Sequence, residues 1–148
     1  HAACYAVVAY QTAYLKYYYP AEFMAALMTS VMDKTSKLSG YIVSARNMGI
    51  KILQPDINES VASFAVVDGN IRYALTAIKG VGYNVIEGLV CEREVNGKYR
   101  DFQDFITRNA GVISKKVVEN FIKAGAFDNL GGNRRQYLSV YNSIMYLQ

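Results

Sequence analysis

The most informative stretch of the sequence is residues 75–87, which read Leu75-Thr76-Ala77-Ile78-Lys79-Gly80-Val81-Gly82-Tyr83-Asn84-Val85-Ile86-Glu87. The stretch begins with a short helical pattern and is broken by two glycines. A second apolar pattern, Val85, Ile86, Leu89 and Val90, then follows at helical spacing. Because glycine adopts backbone conformations closed to other residues, residues 80–82 predict a tight turn between two helices.

A turn of this kind suits an anion. The unpaired N–H groups at the start of the second helix carry partial positive charge, and Lys79 adds a full one. The succession of an apolar residue, a polar residue, Gly, an apolar residue and Gly (residues 78–82) resembles the helix-hairpin-helix motif, in which Val81 points inward. The resemblance implies binding to the DNA sugar-phosphate backbone without base readout. The predicted DNA-binding residues are Lys79, Gly80, Val81, Gly82, Tyr83 and Asn84.

The same turn has a simpler interpretation. A Gly-x-Gly segment also occurs as a plain tight connection between helices, with no ligand. A dinucleotide-binding turn is disfavoured, because that motif needs a third glycine where this chain has Val85. DNA backbone binding and a structural connection therefore both remain open from the turn alone.

Helical patterns continue on the C-terminal side, near residues 84–94, 102–108, 115–124 and 134–146. Residues 111–148 hold five basic and two acidic side chains, which makes +3 of the net +4 of the chain. The last two helices form a second helical hairpin, and we predict a second phosphate-facing patch from Lys115, Lys116, Arg134 and Arg135, together with Lys123. The alternative is an ordinary solvated helix surface.

The N-terminal side predicts three helices. The first, from His1 to about Tyr19, is apolar on nearly every face and is expected to be buried. The second covers about 21–32, with Phe23, Ala26 and Leu27 as its buried stripe. The third covers about 34–48, with Asp33 as its N-cap and Gly49 at its C-terminal cap.

The pattern changes after Gly49. Residues 50–53 predict a short strand, and Asp68-Gly69 between alternating apolar residues predicts a hairpin with a type I′ turn. The expected fold class is mainly α with a small β-hairpin. We divide the chain into a helical part (1–49), a part with short strands and the hairpin (50–74), and a helix-hairpin-helix region (75–148).

Composition limits the chemistry of the chain. One His and two distant Cys, Cys4 and Cys91, leave no zinc-ligand spacing, no CxxC and no nucleophile–base constellation. The apolar run 2–10 is too short to span a bilayer. We therefore expect no catalytic residue, metal or cofactor in this chain, no membrane partner, and a cytoplasmic location.

Several blocks together are similar to the bacterial DNA polymerase III alpha subunit, the C-family replicative polymerase. They occur in the order of that family, and the similarity extends over essentially the whole chain; the blocks are residues 1–16, 19–27, 48–53, 55–58, 77–82 and 122–128. The chain departs from the family pattern at Gln54, where a proline is common. It also departs at Tyr83 and Asn84, where small or acidic residues are usual.

The resemblance implies a fragment of a DNA-directed DNA polymerase, a nucleotidyltransferase, that contains part of the fingers and the helix-hairpin-helix. The catalytic palm, which holds Mg²⁺ in that family, would lie outside it, so the fragment is expected to be inactive alone. By similarity, His1 is expected to lie near incoming nucleotide. The implied partners are double-stranded or primer-template DNA, the remaining polymerase domains and, through them, the replisome. The alternative is a structural or protein-interaction module of the polymerase without DNA contact.

Overall fold

The computed structural model describes residues 1–147, and the side chains of residues 1–143. This part of the chain has seven α-helices and three short strands, which confirms the predicted mainly α fold with a small β-hairpin. The chain forms two compact units. The first contains His1–Leu53 and Phe64–Arg72, and the second contains Gln54–Ser63 and the chain from Tyr73 onward. The predicted hairpin thus belongs to the same unit as the N-terminal helices.

The first unit begins with helices α1 (Ala2–Tyr18), α2 (Pro20–Ser30) and α3 (Thr35–Asn47). Pro20 occupies the first turn of α2, where its missing N–H breaks no helical hydrogen bond. The buried apolar residues of this unit come from α2, α3, the strands and the segments that flank them, and include Met24, Ala25, Met28, Val31, Leu38, Ala45, Ile50, Phe64 and Ile71.

A three-stranded sheet completes the first unit, with strands β1 (Ile52–Leu53), β2 (Ala65–Val67) and β3 (Asn70–Arg72) in the order β1-β3-β2. Strand β3 is parallel to β1 and antiparallel to β2. Asp68 and Gly69 join β2 to β3 with φ angles of 51° and 77°. Two central residues with positive φ are the mark of a type I′ turn, so the predicted hairpin is confirmed.

Helix α1 contradicts the expected burial. None of its residues is buried, and Tyr5 and Tyr17 are 75% and 78% exposed. Within its unit the helix packs on α2, and this contact leaves most of its apolar surface open. Apolar composition predicts that a helix gains free energy by burial, but it does not supply the elements that would cover it.

Two further expectations in the first unit are wrong. In α2 the buried residues are Ala21, Met24, Ala25 and Met28, whereas Ala26 is exposed and Phe23 and Leu27 are half-buried. Nearly every position of α2 is apolar, so its sequence does not define one buried stripe. The N-cap of α3 is Lys34, which makes no side-chain cap hydrogen bond, and Asp33 lies outside the helix.

The second unit contains a short 3-10 helix (Leu75–Ala77) and helices α4 (Tyr83–Asn96), α5 (Phe102–Arg108), α6 (Lys115–Ala124) and α7 (Arg134–Leu147). Its core is rich in aromatic rings. The Phe127 ring centroid lies 5.1 Å from that of Phe102 and 4.9 Å from that of Phe105. Edge and tilted contacts of this kind add to the free energy of apolar burial.

Arg108 joins the end of α4 to α5. Its guanidinium forms ion pairs with Glu92 (3.0 Å) and Asp104 (3.1 Å) and lies 4.3 Å above the Tyr99 ring. It also donates hydrogen bonds to the carbonyls of Glu92 (3.2 Å) and Gly97 (2.7 Å). One side chain therefore holds the C-terminal end of α4 against α5. No helix in residues 1–147 combines the length and apolar character needed to cross a membrane.

Candidate nucleic-acid interface

The predicted turn lies between the 3-10 helix and α4. Ile78 follows the 3-10 helix and is buried, with 6% of its surface exposed. Val81 is half-buried and packs against the core of the second unit, in keeping with the inward direction predicted for it. Lys79, Gly80 and Gly82 are exposed. The apolar residues of the turn thus anchor it, and its polar and glycine positions face outward.

Gly80 is required by the fold. Its φ is +80°, in the left-handed region, and a Cβ atom there would lie 2.9 Å from Nδ2 of Asn120. That amide donates a hydrogen bond to the carbonyl of Lys79 over 2.8 Å and so ties the turn to α6. Any side chain at position 80 would strain the backbone and disturb this bond.

Gly82 is glycine for another reason. It is the N-cap of α4, with φ −80° and ψ 148°, an extended conformation open to any residue. A Cβ atom there would meet nothing within 4 Å. Neither backbone conformation nor packing therefore requires glycine at this position, and the space in front of its α-carbon is open to a ligand.

The N-terminus of α4 has no side-chain cap and no acidic residue in its first turn. The other α-helices of the second unit are capped by side chains. Asp101 accepts from the Asp104 N–H of α5 (2.7 Å), Ser114 from the Val117 N–H of α6 (3.3 Å), and Asn133 from the Gln136 N–H of α7 (2.9 Å). The first N–H groups of α4 thus meet no capping side chain, which is the arrangement that receives an oxyanion.

The predicted second basic patch is divided in the structure. Lys115 and Lys116 are exposed in the first turn of α6, and Arg135 is exposed on α7. The Arg134 guanidinium instead contacts other groups of the second unit. It pairs with the Asp128 carboxylate over 2.9 Å and donates to the carbonyl of Lys123 over 3.1 Å.

The hydrogen bond from Arg134 lowers the pKa of Asp128, so this pair stays charged at neutral pH. Residues 79–84 of the first hairpin thus lie next to one another, whereas Arg134 forms an ion pair with Asp128. A role of these residues in DNA binding stays a prediction.

Two residues of α6 lie beside the turn: Asn120, which no prediction named, and Lys123, which was predicted as part of the second basic patch. Asn120 reaches the turn from α6, and Lys123, one helical turn further along, lines a shallow depression together with Lys79. The sequence signal for Lys123 was its place among the five basic side chains of residues 111–148. Asn120 has none, because its partner lies 41 positions away in sequence.

The remaining candidates lie elsewhere. His1 is exposed at the start of α1 and makes no side-chain cap hydrogen bond, and its predicted contact with nucleotide stays a prediction. Cys4 and Cys91 are free and exposed. Among the described residues, no group of three or more His, Cys, Asp or Glu is placed to hold a metal ion.

Comparison with known proteins agrees with the helix-hairpin-helix interpretation of the turn. A model of the helix-hairpin-helix motif matches residues 49–137. DNA polymerase III subunit alpha of Saccharopolyspora erythraea is 49% identical over 135 residues, and that of Borreliella burgdorferi is 49% identical over 136. The Mycobacterium tuberculosis H37Rv protein of that name is 47% identical over 143 residues. These alignments cover 90%, 91% and 96% of the chain, but 11–12% of each relative.

The matched region includes the turn, its anchoring residues and helices α4 to α6, and all three relatives are DNA polymerase III alpha subunits. The chain therefore belongs to the helix-hairpin-helix family, and nearly all of it is similar to one segment of the DNA polymerase III alpha subunit.

Proposed function

We propose that this chain binds the sugar-phosphate backbone of duplex DNA, without sequence preference, through the turn at residues 79–84. The observation that carries the proposal is the uncapped N-terminus of α4 behind Gly82, whose α-carbon faces open space. A phosphate at this point accepts hydrogen bonds from backbone N–H groups, and Lys79 supplies the neighbouring charge. Backbone amides and a lysine read phosphate geometry and charge, which are the same for every sequence.

Binding through phosphate contacts predicts how DNA affinity changes with salt concentration. Each phosphate neutralised by the protein releases condensed counterions, so log affinity falls against log salt with a slope of about −0.9 per contact. A surface with about four phosphate contacts would give a slope of about −3.6 by that relation. Affinity should also be nearly equal for unrelated duplexes.

The test is a salt titration of the chain against two duplexes of unrelated sequence, with Lys79→Glu and Gly82→Pro as variants. Lys79→Glu replaces an attractive charge with a repulsive one, and Gly82→Pro removes an N–H and fills the space before the helix. Both should weaken binding to both duplexes. Salt-independent binding, or strong preference for one sequence, would contradict the proposal.

The second candidate function is a structural or protein-interaction module of the polymerase. The exposed apolar helix α1 favours it, because Tyr5, Tyr10 and Tyr17 are each more than 70% exposed. In this case the hairpin only connects helices, and α1 docks onto other polymerase domains. An unchanged DNA affinity after Lys79→Glu, or no DNA affinity at all, would favour this function over the first.

In the context of a polymerase, we propose that the chain contributes fingers structure and DNA contact, with the catalytic palm and its Mg²⁺ in other segments. The chain spans about 11–12% of its relatives, so the activity and replisome partners of the whole protein are proposals. Primed template, deoxynucleotides and magnesium added to this chain should give no primer extension. Extension above a buffer control would show that the chain itself carries catalytic groups.

A further inference from the structure

A shallow depression of about 480 Å³ lies beside the turn, in the second unit. Lys79 and Lys123 are on its lining, together with Asn120 of α6. The rest of the lining is apolar or aromatic: Pro55, Tyr73, Ala77, Ile78 and Ala124. Its volume lies in the range of small-ligand sites, and its open form suits part of an extended chain better than an enclosed small molecule.

The charge of the depression is positive. Its lining includes two lysines and no acidic residue. The carboxylate on the loop that follows α6, Asp128, is paired with Arg134, which also donates to the carbonyl of Lys123. The two lysine ammonium groups are therefore not neutralised by this carboxylate. An anion in the depression would meet a net attraction from both.

The backbone around the depression is held in place. The Asn120 amide fixes the carbonyl of Lys79, and Arg134 fixes the carbonyl of Lys123. The main-chain positions from which the two lysines extend are thus set before any ligand arrives. Preorganisation of this kind reduces the conformational entropy lost on binding.

The combination of cations and apolar lining matches one chemical unit, a deoxyribose with its phosphate. The phosphate needs positive charge, and the sugar ring presents apolar carbon to the alanines and proline of the lining. Because the depression shares Lys79 with the turn, it continues the surface at the N-terminus of α4. A DNA strand with one phosphate at α4 would lay its next sugar-phosphate unit here.

We propose that Lys123 is a further DNA-contacting residue, which together with Lys79 holds the sugar-phosphate unit adjacent to the one bound at the start of α4. This inference rests on the proposed function and adds α6 to the binding surface. It assigns a role to a residue outside the turn. The exposed Lys115 lies about 12 Å from Lys123 along α6, at a rise of about 1.5 Å per residue, and is not on the lining of the depression.

The test uses the full chain with Lys123→Gln, and Lys37→Gln as the matched control. Lys37 is an exposed helix residue of the first unit and is not on the lining of the depression, so its variant loses the same charge without changing that lining. Lys123→Gln should reduce the magnitude of the salt slope by about 0.9, equally on two unrelated duplexes. Lys37→Gln should leave the slope unchanged.

Lysine acylation read by mass spectrometry gives an independent measurement. A short duplex should protect Lys79 and Lys123 from the reagent, and Lys37 should remain reactive. Deoxynucleoside monophosphate serves as the comparison probe. If it protected both lysines as well as the duplex does, the depression would be a free-nucleotide site, and the assignment to the DNA backbone would be overturned.

The two proposals can fail separately. If Gly82→Ala weakens duplex binding while Lys123→Gln behaves like the unchanged chain, the hairpin function stands and the role of Lys123 is wrong. If the unchanged chain binds neither duplex, both proposals are wrong. Loss of slope in Lys123→Gln together with protection of Lys123 supports the inference.

Discussion

At the scale of single residues, the two glycines of the turn differ in whether the fold requires glycine at their positions. Gly80 serves the fold, since its positive φ and the nearby Asn120 amide exclude a side chain. Gly82 has an ordinary backbone conformation and open space before it. The same Gly-x-Gly pattern therefore combines a glycine that the backbone conformation requires with one that neither conformation nor packing requires.

This difference predicts opposite behaviour of two alanine variants. Gly80→Ala should lower the free energy of unfolding by roughly 1–3 kcal/mol, because an L-residue in the left-handed region is strained and its Cβ would press on Asn120. Gly82→Ala should change it by no more than about 0.5 kcal/mol, because the poorer N-cap propensity of Ala and the lower entropy of its unfolded chain act in opposite directions. Urea unfolding measures both.

Duplex binding separates the two variants again. Gly82→Ala should weaken binding although the protein stays folded, because its methyl group lies where the phosphate would approach. If Gly82→Ala retained full affinity, the position would have no ligand-facing role. If Gly80→Ala were as stable as the unchanged chain, the structural reason given for Gly80 would be wrong.

Arg108 carries a second residue-scale prediction. Arg108→Ala should lower the free energy of unfolding by roughly 2–4 kcal/mol, because Glu92, Asp104 and the end carbonyls of α4 lose a shared partner. Arg108→Lys should recover part of the loss, since an ammonium cannot reproduce the planar fork of a guanidinium.

The matched control is Arg100→Ala. Arg100 also pairs with Asp104, but its side chain is 84% exposed. Exposed ion pairs contribute about 0–1 kcal/mol, so this variant should be nearly as stable as the unchanged chain. Equal losses from Arg100→Ala and Arg108→Ala in chemical denaturation would contradict the bridging role of Arg108.

At the scale of elements, α4 differs from its neighbours in leaving its N-terminus uncapped. A cap normally stabilises a helix, so the absence of one favours an external partner for those N–H groups. Helices α5, α6 and α7 begin with Asp101, Ser114 and Asn133 as caps. Of these four helix starts, the one behind Gly82 is thus the one suited to a phosphate.

A substitution that fills this position should separate stability from binding. Gly82→Asp places a capping carboxylate at the positive end of α4, which should raise the free energy of unfolding by a few tenths to about 1 kcal/mol. The same carboxylate competes with and repels phosphate, so duplex affinity should fall more than in Gly82→Ala. Thermal unfolding and a binding titration in low salt measure the two effects.

Gly82→Asn is the control for Gly82→Asp, because it offers a capping oxygen without the charge. Its affinity should lie between those of the unchanged chain and Gly82→Asp. If all three bound duplex equally, the α4 N-terminus would not be the phosphate site.

At the scale of the whole molecule, the pH dependence of stability should reflect two carboxylates of the second unit. Hydrogen bonds from the Arg100 backbone N–H and from the Arg100 and Arg108 side chains lower the pKa of Asp104, and Arg134 lowers that of Asp128. Because their folded pKa values lie below the unfolded ones, these groups stabilise the protein above about pH 3.9, the ordinary Asp value.

The contribution of these carboxylates should be lost as the pH falls through their folded pKa values, since the unfolded chain then binds more protons. Urea unfolding followed from neutral to acid pH measures the effect. Asp128→Asn should make the decline below pH 4 shallower, as expected for about one carboxylate fewer. An unchanged acid profile in this variant would contradict a contribution from the Asp128–Arg134 pair.

Much of the fold follows from local sequence. The bounds of α5 and α6 and the type I′ turn at Asp68-Gly69 were predicted because caps, glycines and apolar periodicity act within a few residues. The turn at residues 78–82 was predictable for the same reason. Its glycines, lysine and inward-facing Val81 are all neighbours in the chain.

Other features depend on residues far apart in sequence. The buried stripe of α2 and the exposure of α1 were wrongly predicted, because a helix that is apolar on all sides does not specify which side its neighbours cover. The division of the basic patch also depended on distant contacts. Whether Arg134 faces solvent or pairs with Asp128 is set by how the loop between α6 and α7 folds.

The sequence by itself therefore determined the order and type of the elements, the hairpin, the phosphate-suited turn and the family resemblance. These rest on short-range backbone preferences and on motifs read from contiguous residues. Only the tertiary structure decided that Asn120 holds the turn, that Gly80 and Gly82 serve different purposes, and that Lys123 lines a depression with Lys79. Those facts depend on packing α6 against a turn some 41 residues away, and no local pattern encodes that contact.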